Sequence, residues 1–157
     1  MYKRQGIHRC LNLVGHPEGE AGGVLLRAAE VLAGGDLAVA RRGRDTGLKL
    51  LSGPGNLGQG LGITLEMGHA PVEIVAAPPE VSDDGGTPAR LAAPAAPARF
   101  LLAPPAPRDP AEPPIEVVTG PRVGVSGEGG SVRFPWRFSV AGHRSVSAFR
   151  RGRNVPD

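Results

Sequence analysis

Eleven of the chain's 17 prolines lie between positions 76 and 114, in "AAPPEVSDDGGTPARLAAPAAPARFLLAPPAPRDPAEPP". Each proline fixes φ and removes a backbone donor, so spacing this dense forbids a helix and interrupts a sheet ladder. The stretch is expected to be a mobile insertion of polyproline character, in which "ARFLLA" docks transiently. A core must then come from the flanks. At 157 residues and 40% hydrophobic composition the chain has the size and apolar content of one ordinary domain. Much of that apolar fraction is alanine, however, and only 4% of the chain is aromatic. The 24 glycines and 17 prolines together make about a quarter of the residues, near the level where low complexity begins.

Charge narrows the partners. Eighteen Lys and Arg against 15 Asp and Glu leave +3, and a pI of 9.7 suits a polyanion. The arginines cluster at Arg41, Arg42 and Arg44 and again at Arg144, Arg150, Arg151 and Arg153, beside the segments expected to fold, while Asp83, Asp84, Asp109 and Glu112 lie in the proline-rich middle. The competing reading of these clusters is a solvated surface. Cys10 is the only cysteine, which excludes an internal disulfide and fits a reducing cytosol. His8, His16, His69 and His143 show no metal-ligand spacing with it. No run approaches the roughly 18 apolar residues of a transmembrane helix, and "MYKRQGIHRC" lacks a signal peptide's apolar region. A soluble, intracellular protein is expected.

Residues 6–14, "GIHRCLNLV", and 23–28, "GVLLRA", read as two short antiparallel strands around the turn-rich "GHPEGEAG". A turn follows Glu30, then a helix or loop carrying the arginines. Ser52 is positioned to N-cap a short helix over residues 56–61, with Pro54 near its first turn. Beyond the insertion, residues 115–118, 122–125 and 137–140 read as two or three strands joined by tight turns. Trp136, the only tryptophan, is expected to anchor packing, with a binding role as the alternative.

The stretch "SGPGNLGQGLGIT", residues 52–64, holds G-x-G-x-x-G at Gly53, Gly55 and Gly58, with Glu73 at the distance of a ribose-binding carboxylate. A dinucleotide turn needs a buried parallel strand before it and a long helix after it. The preceding "RDTGLKLLS" has too few β-branched residues for such a strand, and Gly60 and Gly62 interrupt the helix at about 1 kcal/mol each relative to alanine. The Lys-Ser/Thr pair of a phosphate-binding P-loop is also absent.

Read together, "GIHRCLNLV", "GGVLLRAAEVLAGG", "ARRGR", "LLSGPGNLGQGLGIT", "GPRVGVS" and "PWRFSVAG" with "VS" resemble, in this order, the C-terminal half of the alkyladenine (3-methyladenine) DNA glycosylase family. That family shows "YGMHxCLNVV", "VLIRAxEP", "RR", "LxxGPGKLxxALGI", "GPRIGI" and "PWRF". The matches cover roughly residues 6–65 and 118–147, and the proline-rich middle falls where the family is variable. The resemblance implies an α+β fold, a single domain with a curved, mostly antiparallel sheet and few short helices, incomplete at its N-terminus. It divides the chain into a non-family stretch at 1–5, a partial glycosylase domain at 6–150 and a basic tail at 151–157. It also implies a hydrolase that flips an alkylated purine from duplex DNA and cuts its N-glycosidic bond with an activated water, with no metal and no cofactor.

Carried over motif by motif, Cys10, Asn12 and Leu25 would line the base pocket, and Arg27 with the Val123 carbonyl would hold the attacking water. For Asn12 and Arg27 the alternatives are a structural hydrogen bond and an ion pair. Ile7 and His8 would sit at the tip of the hairpin that enters the minor groove. Arg41, Arg42, the backbone around Ser52, Gly53, Gly55 and Asn56, and the last arginines would meet phosphates. The implied partner is double-stranded DNA carrying alkylated or deaminated purines, bound by a monomer associated with the nucleoid in the cytoplasm, with no membrane.

The match also has gaps. In the family the water-activating glutamate, and the tyrosine and histidine that sandwich the base, precede the first of these strands. Here only five residues do, Gln5 stands at the intercalating tyrosine's position, and Asn56 replaces the family's lysine. Glu18, Glu20 and Glu30 fall outside the matching motif. The chain is expected to be a fragment without glycosylase activity. The alternative is a noncatalytic DNA- or RNA-binding module that uses basic loops.

Overall fold

The computed structural model describes residues 8–77, 99–105, 107, 109, 111 and 113–156. The chain divides into two units, residues 1–107 and 108–157.

In the first unit β1 (Asn12–Val14) and β2 (Gly23–Leu25) form an antiparallel pair with Asn12 opposite Leu25. The Leu26 amide extends the ladder by donating to the Leu11 carbonyl at 3.0 Å. The single strand expected over 23–28 is two strands, because the chain changes partner: β3 (Ala28–Ala29) pairs instead with β4 (Leu51–Ser52). Between β3 and β4 runs α1 (Gly35–Arg42), bounded by left-handed Gly34 and Gly43, with Asp36 in its first turn and Arg41 and Arg42 in its last, the charge order a helix dipole favours.

Next comes α2 (Pro54–Leu61). It starts two residues before the expected position, and its cap is Gly53 at φ 97°, not Ser52, which is spent in β4. Proline supplies a preset φ at the first turn, where its missing donor costs no bond, and the amides that follow it have no side-chain cap. Left-handed Gly62 ends the helix, with its amide bonded to the Gln59 carbonyl and that of Ile63 to the Gly58 carbonyl at 2.9 Å, the Schellman closure.

The core of this unit is small. Ala38, Leu50, Leu51 and Leu57 are buried where α1 and α2 meet β4, with Leu11, Leu26, Ala29, Val31 and Val39 packed around them. Within the proline-rich stretch, residues 98–103 contain no proline, and there β6 (Phe100–Leu102) pairs parallel with β5 (Val72–Ile74). The expected transient segment is thus a strand among the described residues, while residues 78–98 of the insertion lie outside them.

The second unit is built on β7 (Val117–Gly120) and β8 (Arg137–Val140), antiparallel with Thr119 opposite Phe138 and Val117 opposite Val140. The strand expected over 122–125 is a turn, because Gly124 takes φ 70° and its amide bonds to the Arg150 carbonyl at 2.9 Å rather than to a ladder neighbour. Gly130 and Gly152 both close onto the Val125 carbonyl, an approach that only a missing Cβ permits. The Gly127 amide bonds to the Arg153 carbonyl at 3.0 Å, so residues of the C-terminal stretch are held as backbone partners of this turn. The α+β class holds: two eight-residue helices accompany strands that pair two by two, three pairs antiparallel and one parallel, among the described residues. No helix among them is long and apolar enough to cross a membrane.

Candidate nucleic-acid interface

The glycines of "SGPGNLGQGLGIT" are spaced by what packs on α2. A Cβ on Gly55 would lie 2.8 Å from the His8 ring, and one on Gly58 would overlap the Arg9 carbonyl oxygen. These two positions, three apart, share a helix face, and residues 8–10 cross that face at backbone contact. Gly60 admits the Leu51 side chain, and Gly62 lies against the Arg41 guanidinium. The preceding strand, β4, is two residues long and antiparallel to its neighbour, and Glu73 is engaged bidentately by Arg99 at 2.7 and 3.2 Å. Neither half of a dinucleotide site is present, since that turn must follow a parallel strand and leave its carboxylate to a ribose.

The helix end so built carries five of the candidate residues, His8, Ser52, Gly53, Gly55 and Asn56. His8, exposed, lies over Gly55. Asn56 donates from Nδ2 to the Ser52 carbonyl at 2.6 Å and thereby ties the strand-to-helix turn shut. The leading amides of α2 form the positive end of its dipole. Ser52 and Gly53 are half-buried beneath them.

Arg41 and Arg42 serve the packing of α1 on α2. Arg42 donates from Nε to the Leu50 carbonyl at 3.2 Å and from Nη1 to Gln59 Oε1 at 2.6 Å, and Gln59 returns a bond from Nε2 to the Arg41 carbonyl at 3.0 Å. Arg41 reaches the Gly60 carbonyl at 3.3 Å. Desolvation, and then neighbouring Arg44, lower the Arg42 pKa below its ordinary value. Gln59, which a sequence pattern passes over because it sits between two glycines, is the hinge of this clamp. Arg9, Arg44 and Lys49 are exposed cations of this unit.

Of the expected pocket, the fold brings Asn12 and Leu25 together as opposed residues of β1 and β2, both exposed, with half-buried Cys10 two residues before Asn12. The Cys10 thiol points back to the His8 carbonyl at 3.9 Å. Arg27 is half-buried just beyond β2. Ile7 lies outside the described residues, and Val123 belongs to the second unit, half-buried in the turn after β7.

In that second unit Arg122 donates from Nε and Nη2 to the Gly129 carbonyl at 3.1 and 2.7 Å and lies 5.2 Å from the centre of the Trp136 ring. Phe134 meets the same ring edge-on, centroids 5.1 Å apart at 70°. Trp136 is nevertheless 60% exposed. It does not anchor a core: it stands just before β8, bridged to Gly120, with its ring outward. An aromatic between two arginines in "RFPWRF" was the available sign.

The sequence profile of methylpurine-DNA glycosylases matches residues 1–144. The chain belongs to this family. Three similar glycosylase relatives are proteins named as 3-methyladenine DNA glycosylases: one from Nocardia farcinica, 40% identical over 99% of this chain and 61% of its own length, one from Corynebacterium efficiens, 39% identical over 98% and 63%, and one from Corynebacterium jeikeium, 40% identical over 99% and 63%. The chain therefore spans about three fifths of the length of these relatives. No solved structure matches it. The glycine-faced helix fixes the segment 8–10, and with it the entry to β1, against the end of α2.

Proposed function

We propose that this chain contributes the DNA-positioning part of a base-excision glycosylase acting on alkylated or deaminated purines as a monomer on duplex DNA. The observation that carries the reading is the contact of residues 8–10 on Gly55 and Gly58, which sets His8 at the positive end of α2 and leads directly into the strand bearing Asn12. In this reading His8 and Ile7 enter the minor groove, Cys10, Asn12 and Leu25 border the flipped base, and Arg27 orients the water. The amides at Gly55 and Asn56 approach a phosphate. Asn56, tied to Ser52, adds no charge there, and Arg9 and Arg44 supply it instead.

The same reading has this chain positioning DNA without hydrolysing it. A general base for this reaction needs a carboxylate shielded from water, with its pKa raised toward neutrality. Every Asp and Glu among the described residues is exposed. The two carboxylates that shift, Glu66 under a Thr64 hydrogen bond and Glu73 under Arg99, move down, which is the wrong direction for a base. Single-turnover excision from duplexes carrying hypoxanthine or 3-methyladenine, alongside binding to those duplexes, tests both parts. Salt-sensitive binding without excision is the expected result. Excision above the protein-free rate refutes the inactivity, and absence of any duplex binding refutes the positioning role.

A further inference from the structure

Along β8 and the residue before it, exposure alternates. Trp136, Phe138 and Val140 are 60%, 69% and 36% exposed, while Arg137 and Ser139 between them are half-buried. Thr119 stands opposite Phe138 and Val117, also exposed, opposite Val140, so one face of the strand pair carries two aromatic rings flanked by small apolar and hydroxyl side chains. Trp136 is held in place: Arg122 covers one face of its ring and is itself fixed by two bonds to the Gly129 carbonyl, and Phe134 braces its edge. Restraint of an exposed indole by a cation on one side favours a π-partner on the other.

Charge selects the partner. Residues 108–157 carry eight arginines against five carboxylates, Asp109, Glu112, Glu116, Glu128 and Asp157, and Glu128 is already paired with Arg133 at 2.9 Å. A neutral protein partner has no use for that excess, whereas a phosphate backbone does. Alternate positions on a strand lie about 6.6 Å apart, too far for two bases stacked on each other but suited to two bases laid side by side on separate rings, as sheet aromatics take unpaired bases.

We infer that Trp136 and Phe138 form a stacking platform for two unpaired nucleobases of a single-stranded nucleic acid, whose phosphates run along the arginines of this unit. The inference rests on the nucleic-acid reading above but not on base excision. Trp136 is the only tryptophan, so its emission reports this face alone. Oligothymidylate added to the full chain quenches that emission saturably, and base-free polyphosphate does not. By anisotropy of a labelled oligothymidylate, Trp136→Ala and Phe138→Ser each weaken binding roughly five- to a hundredfold, from about 1–3 kcal/mol per stacked base. Trp136→Phe stays within about threefold. Phe138→Ser guards against a Trp136→Ala variant that misfolds, since among the described residues Phe138 is tied to the unit by its strand pairing and is 69% exposed. The inference is overturned if both variants bind as wild type or if oligothymidylate leaves the emission unchanged. It is equally overturned if phosphatidylserine vesicles or self-association, followed by sedimentation, account for the quenching. A duplex that binds while oligothymidylate leaves the emission unchanged overturns it and leaves the positioning role standing; failure of both nucleic acids to bind overturns both.

Discussion

Gly58→Ala separates two opposed effects whose sum has a definite sign. In a helix interior the exchange ordinarily stabilises by about 1 kcal/mol, because alanine is the better helix former. Here the added methyl would occupy the place of the Arg9 carbonyl oxygen, with the Arg9 carbonyl carbon at 2.9 Å and Cys10 Cα at 3.7 Å. These are backbone atoms and cannot rotate aside, so the cost lies at the upper end of the roughly 1–3 kcal/mol for overpacking. Net destabilisation of about 2 kcal/mol is expected, with the segment 8–10 lifted from α2. The control is Gly35→Ala in α1, where nothing stands within 4 Å of the new methyl and a gain of about 0.4–1 kcal/mol is expected. Urea unfolding followed by far-UV circular dichroism reads both, since the two described helices lie in the same unit. A Gly58→Ala protein as stable as wild type or more so would refute the packing account of the glycine motif and return it to simple loop chemistry.

Arg42→Ala is expected to lower the stability of the first unit by about 1.5–3 kcal/mol, as the Leu50 carbonyl and Gln59 lose a charged donor. Arg42→Lys should not restore it, because one ammonium cannot span both acceptors. In contrast Arg44→Ala should leave the urea midpoint unchanged and reduce the salt slope of duplex binding by about one unit. Acid should loosen the β5–β6 pair. Hydrogen bonding and charge from Arg99 depress the Glu73 pKa, so its contribution is complete above the ordinary glutamate value of about 4.3 and is lost as pH falls through the lower folded value. Protection of the Val75 amide, which donates to the Leu102 carbonyl at 3.0 Å, should fall across that window when exchange is referred to the intrinsic rate at each pH. Glu73→Gln should show the lower protection at every pH, and added salt should mimic it, the pair being exposed.

Local rules placed β1, β2, α2, β7 and β8 to within a few residues and left 35–42 open between helix and loop. Gly-Pro at 53–54 and Gly62 bracket α2, and Gly34 and Gly43 bracket α1, because caps and turns depend on the conformations of adjacent residues. The ordered motifs sufficed for the family. They did not reveal that Arg41 and Arg42, which look like phosphate ligands in a row of arginines, turn inward to the Gly60 and Leu50 carbonyls. Nor did they show that Ser52 is drawn into a strand or that Trp136 faces out.

Composition, charge and glycine spacing were thus decided by the sequence alone, and so was the impossibility of a dinucleotide turn after so weak a strand. What each glycine is for was decided by tertiary structure. Gly58 needs its missing Cβ because of Arg9, 49 positions earlier, and no local pattern can encode which distant backbone will press on a helix face. Propensity acts between neighbours in sequence, whereas close approach acts between neighbours in space, and the site lies where the second overrides the first.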